Sequence, residues 1–259
     1  MLGKAHLLLG AFASDAPSLG LTELSRRSGV RKATVHRLAT ELVHLGYLAR
    51  TAGGYQLGWR IFELGQLVPG PAGLRTVARP ALIDLRTATK SVIHLAVPHG
   101  VDCVYLERLA GRREARVLTA VGTTVPSWLT ASGRIFLAHR EDRDDILAAL
   151  DEAALTPLAP HGIGDVSQFI AHLETIRERR WADEREQCVQ GFKTFAVPIM
   201  YGASDRVISA VSATMPVERC DDQRIVHALW AAAADISRSL QGPVAALRDD
   251  SPYWTKLVG

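Results

Sequence analysis

Hydrophobic positions in the first quarter of the chain repeat at helical spacing and then change to strand-like runs. Leu7, Leu8 and Ala11 share one face and predict a first helix from about Gly3 to Ser14. Thr22 is suited to cap a second helix, and Gly29 can take the left-handed conformation that closes it. After a tight turn, Val35, Leu38, Leu42 and Leu45 recur every three or four residues, which predicts a third helix with one buried stripe. The pattern then shortens. Leu48-Ala49-Arg50 and Gly54-Tyr55-Gln56-Leu57 flank the turn residues Thr51 to Gly54, the signature of a hairpin.

Gly58 to Leu67 returns to helical spacing through Ile61, Leu64 and Leu67 and reads as a linker helix. Two prolines and two glycines in 68–73 cannot continue it, so the domain boundary is placed there. The resulting division is residues 1–58, a linker over 59–73, and a second domain over 74–259. That domain mixes periods. Helices are predicted over Leu74 to Ala88 (interrupted near Arg79-Pro80), Ala131 to Ala138, Arg143 to Leu150, Val166 to Arg180 and Arg224 to Leu240. Strands are predicted over Ser91 to Pro98, Val101 to Leu109, Arg116 to Val121, Phe195 to Met200 and Val207 to Thr214. Adjacent hairpins bracketed by helices make an α+β domain with a mainly antiparallel sheet.

The polar face of the third helix carries chemistry. Ala33, His36, Arg37 and Thr40 lie opposite its apolar stripe, with Arg31, Lys32 and Thr34 at the N-terminal end. Arginine can pair bidentately with guanine, threonine and histidine reach base edges or phosphates, and alanine lets the backbone come close. Basic residues on an isolated helix most often mean only a solvated face. Here they sit in a helix-turn-helix followed by a hairpin, the order that puts one helix in a DNA major groove and a wing beside it. Arg50 and Tyr55 would flank that wing and contact phosphates. Charge agrees: residues 1–65 hold eight Lys and Arg against four acids, whereas the remainder holds 22 against 23. The net charge of +3 is therefore a local footprint.

Composition excludes several classes. With 259 residues, 47% apolar and 22% charged, the chain is an ordinary globular protein of one or two domains. Leu7 to Leu9 is too short a run to span a bilayer and has no cleavage-type signal, so a cytoplasmic location is expected, with no membrane partner. Cys103, Cys188 and Cys220 are odd in number and widely spaced, reading as reduced thiols without metal-ligand spacing. Cys188 with His94, His139 or His172 supplies the residue types of a thiol–imidazole pair, but no local catalytic motif accompanies them. No catalytic residue, metal site or cofactor is assigned.

The runs LTELSRRSGV, TVHRLATELVHLGYL and YQLG resemble the winged helix-turn-helix of IclR-type bacterial transcriptional regulators. VGTTVPSWLTASGRIFLA and IRERRWADEREQCVQGFKTFAVPI resemble that family's two downstream signatures, and Arg79-Pro80, Leu82 and Leu85 extend the likeness over nearly the whole chain. The resemblance implies a linker helix leading to a GAF-like effector-binding domain, with double-stranded operator DNA as one partner and a small organic effector as another. The effector class suggested is a carboxylate or an aromatic metabolite. It also implies a homodimer or a dimer of dimers, as one winged domain reads only a half-site. Carried over by motif, the effector pocket draws on Val125, Ser127, Trp128, Thr130, Ala131 and Ser132, then Glu184 and Thr194, then Ser212 and Thr214, which alternation puts on one sheet face. Free N–H groups at the helix start after Thr130 favour an anion, and Trp128 offers a stacking surface. Glu184 opposes an anion unless it accepts a hydroxyl or amide hydrogen, and its charged run Asp183 to Glu186 by itself reads as a solvated turn. The chain departs from the family pattern at Lys90 and Arg180, where glycine is usual, and at Thr194 and Phe195, where cysteine and a small residue are usual.

Overall fold

The structure, a computed structural model, describes residues 1–13, 16–68, 71–111, 119–148, 165–201 and 206–241. It divides into two compact units, Met1–Val68 and Pro69–Gly259.

The first unit opens with α1 (Leu2–Leu9), which stops at Gly10, short of the expected end. Leu8 and Ala11 enter the core, while Leu7 stays exposed. Strand β1 (Ser18–Leu19) runs directly into α2 (Leu21–Ser28), so the N-cap is Gly20 and not Thr22, which lies inside the first turn. The cause is tertiary. Leu19 pairs with Tyr55 and holds the chain in the sheet until the residue before the helix. Gly29 closes α2 at φ +67, as its lack of a Cβ allows. Helix α3 (Lys32–His44) buries Val35, Leu38, Ala39 and Leu42. Leu45 falls at the C-cap and is exposed, so the stripe is one residue shorter than its spacing predicts and Ala39 fills it. The hairpin of β2 (Leu48–Thr51) and β3 (Gly54–Leu57) pairs Arg50 with Tyr55 and Thr51 with Gly54. A Cβ on Gly54 would stand 2.3 Å from the Leu19 carbonyl oxygen, so glycine is required where β1 closes on the wing. Helix α4 (Trp59–Gln66) buries none of its residues: Ile61 and Leu64 are half-buried and Leu67 is exposed.

In the second unit, α5 (Pro71–Thr89) runs unbroken through Pro80, against the expected interruption. Proline's fixed φ is itself helical, and burial of Leu74, Ala78, Leu82 and Leu85 along one face outweighs the lost backbone bond. Strands β4 (Val92–His99) and β5 (Asp102–Leu109) form a hairpin across Gly100, and β6 (Thr124–Pro126) pairs with β5. A 3-10 turn, Ser127–Leu129, leads into α6 (Ala131–His139), then α7 (Arg143–Ala148) and α8 (Val166–Arg179). Strands β7 (Ala182–Arg185), β8 (Phe192–Tyr201) and β9 (Arg206–Pro216) precede α9 (Asp222–Leu240). The six strands lie in the order β6-β5-β4-β9-β8-β7 with every pairing antiparallel, and the fold is α+β. The strand expected at Arg116 to Val121 has residues 116–118 outside the described residues, and 119–121 are not in a strand. Residues 202–205, between β8 and β9, also lie outside them. Two short strands, β6 and β7, carry no alternation of their own and become strands only by pairing at the sheet edges.

Each sheet face has a different texture. Ile93, Leu95, Val97, Phe195, Val197, Ile199, Val211, Ala213 and Met215 form one core with α5 and α9. On the other face Ala96, Ala196 and Ala210 meet α6 and α8, and the positions between them are His94, Thr194, Ser212 and Thr214. Small and polar side chains there leave room beneath α6. Helix α6 sits so close that a Cβ on Gly133 would be 2.3 Å from the Cα and the carbonyl oxygen of Ser127. Phe195 belongs to the opposite core with Trp181, ring centroids 5.8 Å apart, so the large side chain at this position does not reshape the α6 face.

Candidate functional site

In the first unit, Arg31, Lys32, Ala33, His36, Arg37 and Thr40 are all exposed and Thr34 is half-buried, while the opposite side of α3 is core. The Thr40 hydroxyl donates to the His36 carbonyl at 2.9 Å, holding it along the helix. Three other cations of this unit, Arg26, Arg27 and Arg60, are occupied. Glu23 accepts from both Arg26 and Arg27, which hold its carboxyl down to about 2, and Arg60 pairs with Glu63. Among the described residues, no ion pair engages Arg31, Lys32 or Arg37. Their charge faces outward at the N-terminal half of α3.

The wing departs from expectation at one residue. Arg50 is exposed, but Tyr55 is only 5% exposed and its ring sits in the core with Leu19, Leu24 and Leu48. Tyr55 is thus a core residue of the first unit and not an outward flank of the wing. Arg50 and Leu19 are its two cross-strand partners and share its sheet face: Leu19 packs beside the ring in the core, and the exposed Arg50 lies over it, its guanidinium 5.4 Å from the ring centroid.

In the second unit a small cavity lies beneath the start of α6. Its lining brings together Thr130, Ala131, Glu184, Thr194 and Thr214, as the resemblance implied, with His94, Tyr105, Thr119, Cys188 and Val189 added. The free space is about 20 Å³, room for roughly one water molecule. Glu184 is 4% exposed, not part of a solvated turn, because β7 pairs it directly with Thr194. The Thr194 hydroxyl donates to Glu184 Oε1 at 2.8 Å, and the Gln187 backbone N–H donates to Oε2 at 2.9 Å. Burial raises the Glu184 carboxyl above its usual range, opposed by these bonds and by Arg134. Thr194 also lies 3.1 Å from the Thr214 hydroxyl, across the β8–β9 register.

Arg134 is the largest group that sequence reasoning missed. It is 2% exposed in the middle of α6 and donates to the Trp128 carbonyl, the Asp183 carbonyl and Gln187 Oε1 at 3.1, 2.9 and 2.7 Å. Gln187 accepts from Arg134 with its side chain and donates to Glu184 with its backbone, linking α6 to β7 behind the cavity. A lone arginine within an apolar helix is the only sequence signal. His94 Nε2 lies 2.7 Å from Thr119 Oγ1, and its ring packs 4.6 Å from the Tyr105 ring. Burial, then Arg108, pushes the imidazole down to about 3, so it is neutral. Thr130 caps α6 by accepting from the Gly133 N–H at 2.9 Å.

Five motif-derived pocket residues do not line the cavity. Val125 and Trp128 are half-buried and pack against the core between sheet and α6. Ser127 is buried against Gly133, Ser212 is buried two residues along β9 from Thr214, and Ser132 is buried with no hydrogen-bond partner for its hydroxyl among the described residues. The reason is common: α6 is buried on all sides, so most of its flanking residues face core. Cys188 and His94 share the cavity, yet burial pushes the Cys188 thiol up to about 12 and its Sγ donates to the Leu129 carbonyl, which leaves no thiolate nucleophile. Among the described residues, no helix is long and apolar enough to cross a membrane and no cluster of side chains could hold a metal ion.

A winged helix-turn-helix followed by an α+β unit with a polar cavity defines a class of two-part regulator, and comparison with known proteins agrees. Residues 70–238 match the model of the bacterial transcriptional regulator IclR C-terminal domain, and residues 2–52 match that of the IclR helix-turn-helix domain. The chain belongs to the IclR family of bacterial transcriptional regulators. It is similar to the HTH-type transcriptional regulator XynR of Escherichia coli, 29% identical over 93% of this chain and 96% of that one. It is also similar to the Pca regulon regulatory protein of Pseudomonas putida, 28% identical over 93% and 84%. Among solved structures, an IclR homologue from Microbacterium hydrocarbonoxydans complexed with 4-hydroxybenzoate superimposes with a TM-score of 0.83, 26% identity and coverage of 92% and 98%. These relatives are transcriptional regulators, not enzymes.

Proposed function

We propose that this protein is a ligand-responsive regulator that reads operator DNA with α3 and senses a small organic effector at the polar cavity beneath α6, which has to widen beyond its one-water volume to admit it. The observation that carries the reading is the exposed face of α3, where Arg31, Lys32 and Arg37 stand outside any ion pair among the described residues, beside the small Ala33. Arg37, His36 and Thr40 reach base edges, Thr34 and Lys32 contact phosphates, and Arg50 follows the backbone from the wing. Such a regulator acts where the chromosome lies, in the cytoplasm.

A single winged unit covers one half-site, so two copies bind a pseudo-palindrome. The apolar surface of α4 supports pairing: Trp59 and Phe62 are 78% and 56% exposed, stacked edge to face with centroids 5.7 Å apart, and Leu67 is exposed beside them. Domain limits of 1–58 and 74–259 joined by a linker over 59–73 fit this division of labour. Effector binding changes operator affinity by the ligand's differential affinity for two arrangements of the winged units. The test is an electrophoretic shift of DNA upstream of the chain's own gene. Retardation that weakens with salt is expected, and none at low salt overturns the reading.

A further inference from the structure

The hairpin from Leu48 to Leu57 carries a single cation, Arg50. Among the described residues no carboxylate pairs with it, and its guanidinium lies 5.4 Å from the centroid of the Tyr55 ring. The chain on either side of Arg50 is held. Leu48, two residues before it, is buried, and the hydroxyl of Thr51, the next residue, lies 2.9 Å from that of Ser18 on β1. Tyr55 is held as well. Its ring packs with Leu19, Leu24 and Leu48, and the residue before it is Gly54, which β1 approaches too closely for a Cβ. A fixed ring therefore lies beneath the one charged side chain of the wing.

An arginine loses rotamer freedom when it seats on a phosphate, and a side chain ordered beforehand loses less. A carboxylate would also order Arg50, but it would compete with the phosphate for the charge and the N–H donors. The face of an aromatic ring attracts the guanidinium and leaves its N–H edge free. Given the reading of Arg50 as a phosphate contact of the wing, we infer that Tyr55 is a positioning residue for DNA binding: its buried ring orients the Arg50 guanidinium before the DNA arrives, and its hydroxyl takes no part.

Fluorescence anisotropy of the full chain over a salt series, with a labelled duplex taken from upstream of its own gene, tests this. Arg50→Ala is expected to weaken binding and lower the salt slope by about 1. Tyr55→Phe, which keeps the ring, is expected to bind as the parent does. Tyr55→Leu is expected to lose affinity about two- to tenfold with the salt slope unchanged, and to lose nothing further where Arg50 is already alanine. A loss in Tyr55→Phe means that the hydroxyl itself meets the DNA, and overturns the inference. Equal losses from Tyr55→Leu with and without Arg50 are the mark of a merely structural ring and overturn it too. Where circular dichroism shows that Tyr55→Leu does not fold, the NMR shift of the Arg50 Nε proton in the unmodified chain decides together with Tyr55→Phe. Displacement by the ring current is expected, and the shift of a free arginine overturns the inference. Unchanged affinity and salt slope in Arg50→Ala, or no binding by the parent chain at low salt, overturn the wing contact itself.

Discussion

Thr194 donates its hydroxyl proton to Glu184 Oε1 at 2.8 Å, a bond between two buried side chains facing each other across the edge pair β7–β8. It satisfies a carboxyl that burial has already pushed above its ordinary range. Replacing Thr194 with the near-isosteric Val removes the donor and leaves the carboxyl under-satisfied. Stability should fall by about 1–3 kcal/mol, read as a lower urea midpoint with an unchanged m-value.

Acidification should weaken the second unit through His94. Its folded pKa, about 3, lies below the ordinary value of 6.5, so the unfolded chain binds the proton first. The stability that the neutral ring contributes is present above about pH 6.5 and is lost as pH falls towards 3. The slope is at most about 1.4 kcal/mol per pH unit from this residue. His172, lowered to about 4 by burial and then by Arg134, adds to it. Melting curves between pH 7.5 and 4.5 should show a shallower decline for His94→Gln, and an identical decline would refute the assignment.

Lys90 ends α5 in the left-handed region at φ 56, a conformation that costs a residue with a Cβ about 1–2 kcal/mol. Lys90→Gly should therefore raise the melting temperature of the second unit. Gly133→Ala should do the reverse, because its Cβ would stand 2.3 Å from Ser127 backbone atoms, and overpacking of this kind costs about 1–3 kcal/mol or more.

Arg37→Ala should weaken operator binding by about 1–3 kcal/mol and relax sequence preference at one base pair. Lys32→Ala should weaken binding to all sequences alike and reduce the salt slope by about 1. Fluorescence anisotropy over a salt series distinguishes the two.

Trp59→Ser with Phe62→Ser removes an exposed aromatic pair that makes no contribution to the buried core of the first unit. Folding should survive and self-association should weaken, seen as a shift towards monomer in analytical ultracentrifugation. An unchanged sedimentation profile would place the pairing surface elsewhere.

Local sequence determined every element whose hydrophobic period was long enough to be unambiguous: α3 from Val35, Leu38 and Leu42, α9 from its repeated apolar stripe, and β4, β5, β8 and β9 from their dense apolar runs. It also separated the outward face of α3 from the inward one, since a helix with one apolar stripe has only one face left for solvent. What it misassigned depends on partners distant in sequence. Tyr55 turns inward because it pairs with the buried Leu19 of β1, α5 passes through Pro80 because its buried face compensates, and Glu184 becomes a wall residue only when β7 pairs with β8. The cavity was legible as a list of residue types, but its real lining was not. Trp128 and Thr194 both read as pocket residues, and only the packing of a fully buried α6 against one particular sheet face sends Trp128 to the core and leaves Thr194 at the cavity. Periodicity fixes which side of an element is apolar; which two polar side chains meet across a buried space is decided by the docking of elements, where hydrogen-bond distances of about 3 Å leave no tolerance for a shift of register.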